Sequence, residues 1–462
     1  MTDFNSPSTA QQERTAEPRR SVREHVVIVG GGFAGLSAAR ALKDAEVDVT
    51  LIDKNLYNTF QPLLYQVATA TLNPGDISYF LRSARAKQKN LRVVRGEVTG
   101  VDAEGHRIEL ADGRRMRYHR LILAVGVTAN FFGTPGAEEH AFPLYTRSQA
   151  IKLRDTLFGR LETAAQSTST GDVRVVVIGA GPTGVETAGA LAEQRDKDFP
   201  VIYPDIDRSR MHVTLVDMAP NVLVPFSEGS RDYAASALRE RGVDLRLGMG
   251  VKEVGPDSVT LEDGTELPSM ITVWAAGVTS YKRVGTWGIP QGRGGRIETD
   301  EFLRVKGVED VFAVGDASVG DDALPQLAQP ALQGGKYVGK LIAAESRAKH
   351  AHQPLPAHEP FVYNDKGILA TIGRNSAVAE VEGIPNLTGF PAMAIWTGVH
   401  LVTLLSNRNR LASMVNLGSR YLTWRGGHNV IVGDTPPTAL PPSEIKAQQA
   451  KAAEAKAAAG SR

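Results

Sequence analysis

The 462-residue chain has room for two or three domains that each bury a core. Its 52 basic and 51 acidic residues leave a formal charge of +1, which supplies no field for a nucleic acid, and 42% hydrophobic with 22% charged residues is an ordinary globular composition. With no cysteine there is no disulfide, no thiolate metal site and no redox-active thiol.

Residues 1–24 are polar, contain Pro18 and have no apolar run, so they read as a disordered tail rather than a signal peptide, and a cytoplasmic protein is expected. The chain then turns apolar and β-branched. VVIVGGGFAGLSAARAL from Val26 predicts a strand, a glycine turn through Gly30, Gly32 and Gly35, and a helix of small residues. The same order returns 149 positions later as VVVIGAGPTGVETAGAL from Val175, with Gly179, Gly181 and Gly184. In each copy the first glycine permits the tight turn, the second lets the backbone approach a pyrophosphate and the third lets helix and strand pack closely. The free N–H groups of the helix N-terminus meet the phosphate charge. Asp53 closes VDVTLID, with Lys54 beside it, and Asp217 closes HVTLVD, so each copy ends a later strand on a carboxylate that can accept ribose hydroxyls. No arginine occupies the three residues after Asp217, and NADH is therefore expected over NADPH. LILAVG ends at Gly126 and ITVWAAG at Ala276 and Gly277, a spacing of 151 that continues the duplication. The expected fold is α/β, with two Rossmann-like dinucleotide-binding domains built on parallel, doubly wound sheets.

Further along, DVFAVGDAS (310–318) is an apolar strand ending at Gly315 and Asp316, and AQPALQGGKYVGK (328–340) predicts a helix with Pro330 in its first turn. Gln329 and Gln333 are four residues apart and share a side of that helix. KHAHQPLPAHEP holds His350, His352 and His358 in a Pro-rich linker without a fourth ligand, so no metal site is expected. No run reaches the 18 or so apolar residues of a spanning helix. The longest candidate, MAIWTGVHLVTLL (393–405), is followed by NRNR and by a helical stripe at 411, 414, 415, 418, 421 and 422. Trp396, Trp424, Tyr421, Arg408, Arg410, Arg420 and Arg425 border these segments with aromatic and cationic groups suited to anionic lipid, although packing on the rest of the protein or a dimer contact would use the same stripe. TPPTALPPSE and KAQQAKAAEAKAAAGSR make 436–462 a low-complexity tail.

The glycine repeat resembles the two-dinucleotide flavoprotein disulfide-reductase superfamily, in which the first motif holds FAD and the inserted second one holds NAD(P)H. Asp316 resembles the residue that bonds the ribityl chain of FAD there. The missing cysteines remove the disulfide, sulfide and peroxide branches. Ala328, Gln329, Ala331 and Gln333 resemble the A-Q-x-A-x-Q signature of type II NADH:quinone oxidoreductases, and FQPLLYQVATA (60–70) resembles that family's segment near the flavin. The resemblance covers roughly residues 25 to 430.

It implies a peripheral flavoenzyme passing hydride from NADH to FAD and two electrons to a membrane quinone without pumping protons, on the cytoplasmic face of the cell membrane and as a homodimer. FAD would be held by Gly30, Gly32, Gly35, Asp53, Lys54, Gly126, Asp316, Ala328 and Gln329, and NADH by Gly179, Gly181, Gly184, Glu186, Asp217, Ala276 and Gly277. Gln329, Gln333 and Glu186 would act on the quinone and nicotinamide, with Glu186 either relaying a proton or orienting the ring. The expected domains are 25–150 with 296–360 for FAD, 171–295 for NADH, and 361–435 for C-terminal strands and an amphipathic membrane-anchor or dimer region. A soluble reductase feeding a carrier protein and a redox-sensing flavoprotein are the competing readings.

Overall fold

The computed structural model describes residues 23–166 and 172–422. The sequence reading of the tails therefore falls almost wholly outside the described residues, as do Trp424, Arg425 and the side chains of Arg420, Tyr421 and Leu422.

The chain begins with β1 (Glu24–Val29), α1 (Phe33–Ala41), β2 (Val47–Asp53), β3 (Leu91–Arg95) and β4 (Arg120–Leu123). It crosses to a second unit through β5 (Ala141–Pro143) and α2 (Arg147–Gln166). That unit continues with β6 (Val173–Ile178), α3 (Pro182–Glu193), β7 (Met211–Asp217), β8 (Val243–Leu247) and β9 (Ile271–Trp274). The return to the first unit supplies β10 (Val311–Ala313) and α4 (Ala328–His350). The described C-terminal part holds β11 (Ile368–Gly373), β12 (Ser376–Glu380), β13 (Leu387–Thr388), α5 (Gly389–Thr403) and α6 (Asn407–Leu422).

The two parallel sheets have matching order, β10-β4-β1-β2-β3 and β5-β9-β6-β7-β8. β1 and β6 are central, covered on both faces, which is why EHVVIV and VRVVVI are nearly continuous apolar runs rather than alternating ones. Each sheet takes its outer strand from the far side of a crossing: β10 comes back from beyond the second unit, and β5 joins β9 before that unit's own glycine motif begins. The sequence reading ended the first domain at 150, yet Ala141–Pro143 hydrogen-bonds into the second sheet, and α2 occupies the interval left unassigned. A three-residue strand is too short to carry a period.

A second difference lies between the parallel strands. Val98–Asp102, Arg107–Leu110 and Arg115–Arg117 form an antiparallel meander, and Val251–Val254, Ser258–Leu261 and Glu266–Pro268 form its duplicate. The signal is the Asp-Gly pair in each, Asp112-Gly113 and Asp263-Gly264, which closes a hairpin with glycine at positive φ. The segments after Gly126 and Gly277 pair with each other, Thr128 opposite Thr279. These are counterparts 151 residues apart, so equivalent segments of the two units form the ribbon that joins them.

The C-terminal sheet β11-β12-β13 lies against α3: a Cβ on Gly189 would fall 2.3 Å from the Ile372 carbonyl oxygen. α5 turns Ala392, Met393 and Trp396 into the core. α6 is oriented the other way. Asn409, Ser413 and Leu417 are buried, with Asn409 Nδ2 donating to Ser78 O (2.7 Å) and Asn416 Nδ2 to Asp76 Oδ2 (2.7 Å), while Leu411, Met414 and Val415 face outward. Among the described residues no helix is long and apolar enough to cross a membrane.

Candidate active site

The first glycine turn is pinned by its own strands. Gly30 has φ +108°, and a Cβ there would lie 2.2 Å from the Ala124 carbonyl oxygen; one on Gly35 would lie 1.9 Å from Gly30 O. Nothing lies within 4 Å of a Cβ added to Gly32. The turn is thus closed on the protein side and open where a pyrophosphate would approach. Asp53 takes the Gly31 N–H on Oδ2 (2.6 Å) and the Asn55 N–H on Oδ1 (2.6 Å), and burial raises its carboxyl above the usual range against these two bonds.

The second turn repeats this arrangement atom for atom. Gly179 has φ +104°, a Cβ on Gly184 would lie 1.7 Å from Gly179 O, and Gly181 again faces open space. Asp217 takes the Ala180 N–H on Oδ2 and the Ala219 N–H on Oδ1 (2.7 Å). Only the first turn has Asn58, whose buried Nδ2 donates to Gly31 O (2.9 Å). Sequence reasoning missed it, because nothing local in NLYNTF marks one asparagine as reaching back 27 residues.

The far end of the first crevice gathers Gly126, Asp316 and the start of α4. Gly315 fits between Ala34 and Ala331, each 3.2 Å from its would-be Cβ, so α1 and α4 begin side by side at the end of β10. The Tyr145 hydroxyl donates to Asp316 Oδ2 (3.4 Å) and stands 3.9 Å from a Cβ added to Gly126, which makes Tyr145 the residue joining these two positions. Burial pushes Asp316 up to about 6, opposed by Arg296 and by the tyrosine. Lys54, beside Asp53, holds its Nζ 4.8 Å from the centre of the Tyr281 ring.

Gln329 and Gln333 do share one side of α4, with Gln333 Nε2 3.4 Å from Gln329 Oε1. Gln333 is also engaged with backbone, donating from Nε2 to Asn364 O (2.9 Å) and accepting the Asn364 N–H on Oε1 (3.0 Å).

Glu186 is buried on α3. Its Oε1 accepts the Thr371 N–H at 3.4 Å, and burial raises the carboxyl to about 8 despite that bond and the Trp396 side chain, both of which favour the charged form. Trp396 stacks on His400 (4.1 Å, 25°), and His400 meets Phe60, which in turn meets Phe33 at the start of α1. An aromatic file therefore runs from the first glycine motif to the neighbourhood of Glu186. His400 bonds Trp396 O through Nδ1 (2.6 Å), and burial lowers it to about 4. His350, the last residue of α4, lies 3.0 Å from Glu46, and His358 lies 3.4 Å from Glu345. Among the described residues no group of three metal-ligating side chains occurs.

Two equivalent crevices, each walled by glycine backbone and ended by a carboxylate, with a buried acid and an aromatic file beside them, define a two-dinucleotide oxidoreductase. Residues 24–335 match the family model of pyridine nucleotide-disulphide oxidoreductases and residues 366–426 that of the NDH2 C-terminal domain. The chain is 36% identical to the type II NADH:quinone oxidoreductase Ndh of Mycobacterium tuberculosis, covering 91% of this chain and 92% of that one. It is 30% identical to the type II NADH:quinone oxidoreductase of Staphylococcus aureus, covering 79% and 91%. Its fold is similar to that of NDH2 from Plasmodium falciparum, solved in complex with NADH (TM-score 0.81, 20% identity, 87% of this chain and 99% of that chain). The chain belongs to the type II NADH:quinone oxidoreductase family, and it transfers electrons from NADH to a quinone by way of a flavin.

Proposed function

We propose that the flavin is FAD, held from Gly32 and Asp53 at its adenosine end, past Asp316 and Gly126, to the start of α4 at Ala328 and Gln329. The observation that supports this path most directly is the open space at Gly32 within an otherwise closed turn, on the side where a pyrophosphate would approach the backbone at the N-terminus of α1. FAD, when bound, supplies a two-electron carrier between two substrates that need not meet. The N-termini of α1 and α4 favour negative charge at the phosphates and beside the isoalloxazine. NADH lies along Gly179, Gly181 and Gly184, with Asp217 at its adenosine ribose and Ala276 and Gly277 beyond. Glu186 holds a proton at neutral pH at the end of this crevice, where it can orient the nicotinamide amide or give that proton up.

Quinone binds beside the start of α4, where an uncharged amide can donate to a carbonyl oxygen. It arrives from lipid. The outward stripe of Leu411, Met414 and Val415, with Arg408 and Arg410 exposed on the same helix, supports peripheral attachment to the cytoplasmic face of the cell membrane without proton pumping. The homodimer expected from the resemblance belongs to the same reading. Reduction of the purified flavoprotein by one equivalent of NADH, then stopped-flow mixing with a short-chain quinone, tests the assignment. Reoxidation within milliseconds is expected; reoxidation no faster than that by oxygen would overturn it and point to a protein acceptor.

A further inference from the structure

The two glutamines of α4 have unequal chemistry. The peptide group of Asn364 offers Gln333 one N–H, which only donates, and one C=O, which only accepts. The atom facing the N–H (3.0 Å) is therefore Oε1 and the atom facing the C=O (2.9 Å) is Nε2, so the amide cannot be turned over. The second hydrogen of Nε2 is directed at Gln329 Oε1 (3.4 Å). Both Gln333 hydrogens are then used, and a quinone carbonyl, which accepts only, finds no donor on it. Gln329 is in the opposite position. Its oxygen is taken, and its Nε2 has no hydrogen-bond partner among the described residues. Backbone chemistry at Asn364 thus fixes Gln333, and Gln333 fixes which end of Gln329 faces outward.

The clasp belongs to a longer contact. Tyr337, one turn along α4, donates its hydroxyl to Glu359 O (2.7 Å) and packs its ring on Phe361 (5.4 Å). Residues 359–364 therefore run antiparallel to α4 as a strap, from Tyr337 towards Gln333. The strap leads into β11, whose Thr371 N–H reaches Glu186 seven residues after Asn364.

We infer that Gln333 is a positioning residue that presents the Gln329 amide as the donor to the quinone and seats the strap carrying Thr371. This rests on the proposed quinone position beside α4. The test uses the flavin-loaded full chain with Gln333→Leu, Asn364→Pro, which deletes the clasping N–H, their double variant, and Gln329→Leu. Binding of a short-chain quinone to the oxidised enzyme is read by quenching of tryptophan fluorescence. Reoxidation of the reduced enzyme is followed with the quinone and, separately, with ferricyanide, which needs no hydrogen bond.

Gln333→Leu and Asn364→Pro should each weaken quinone binding by about five- to tenfold, the loss of roughly one hydrogen bond. The double variant should be no worse than either, and the loss with the quinone should exceed any change in the rate with ferricyanide. Wild-type quinone binding in Asn364→Pro beside weakened binding in Gln333→Leu, or multiplied effects in the double variant, would overturn the inference and make Gln333 a direct quinone ligand. Unaltered quinone binding in every variant, Gln329→Leu included, would instead remove the quinone from this end of α4. If Asn364→Pro loses flavin, Tyr337→Phe loosens the same strap and should lower quinone affinity in the same direction; no effect there beside weak binding in Gln333→Leu would equally overturn the inference.

Discussion

The Thr371 N–H reaches Glu186 Oε1 at 3.4 Å across 185 residues of sequence, joining the helix that opens the second glycine motif to the C-terminal sheet. The carboxyl is buried against this sheet and Trp396, and the single backbone bond does not offset the loss of water, so it titrates at about 8.

That value sets a pH dependence. The folded enzyme keeps a proton on Glu186 that the unfolded chain has released above its ordinary 4.5, so stability falls as pH rises through about 8, by up to about 1.4 kcal/mol per pH unit. His400, lowered to about 4 from 6.5, acts oppositely, and stability lost on acidification below 6.5 is its contribution. The two oppose each other between 4.5 and 6.5, leaving Glu186 alone to set the slope from 6.5 to 8. Urea unfolding of the flavin-loaded enzyme should show this decline, and Glu186→Gln should flatten it. An identical decline in the variant would mean that another group titrates there.

The glycines of the second turn separate folding from nucleotide binding. Gly184→Ala drives a methyl against Gly179 O, placed at 1.7 Å, and should destabilise the chain by about 1–3 kcal/mol or more. Gly181→Ala meets nothing within 4 Å and should unfold within about 0.5 kcal/mol of wild type, while raising the KM for NADH by about tenfold or more. A normal NADH KM in Gly181→Ala would show that the pyrophosphate does not pass over that residue.

The outward face of α6 predicts the anchoring result. Leu411, Met414 and Val415 are 58%, 53% and 57% exposed, so serine at all three removes apolar area from the surface with little cost inside. Full burial of such side chains is worth about 1.5–3 kcal/mol each, and even shallow insertion of three makes the loss several kcal/mol. The triple variant should no longer float with anionic liposomes while keeping ferricyanide reduction. Unchanged flotation would assign the stripe to another contact.

Glu345 organises the opposite end of α4. It is buried, and it receives Arg120 Nη2 at 3.0 Å and Arg304 Nη2 at 3.4 Å, with His358 Nε2 lying 3.4 Å away, while Arg120 also pairs with Asp310 beside β10. Removing one member of a buried ion cluster strands the others, so Glu345→Ala should cost about 3–5 kcal/mol in urea unfolding without changing the KM for NADH. A loss below about 1 kcal/mol would mean that water replaces the carboxylate and that the cluster is not a closed one.

What the sequence determined by itself was local or repeated. Gly30, Gly32 and Gly35 act within one turn, their spacing is a property of the backbone, and a second copy 149 residues later left little else for the fold to be. The ends of β2 and β7 at Asp53 and Asp217 and the helical start at Pro330 were legible for the same reason, as was the stripe on α6. What only the tertiary structure decided depends on segments far apart in the chain. Apolar periodicity gives α6 a face without saying that Asn409 and Ser413 turn inward. A three-residue strand such as Ala141–Pro143 carries no period to read. Residue type alone made Gln329 and Gln333 equivalent, and the peptide group of Asn364, 31 residues beyond Gln333, makes them different by satisfying one amide and leaving the other its donors.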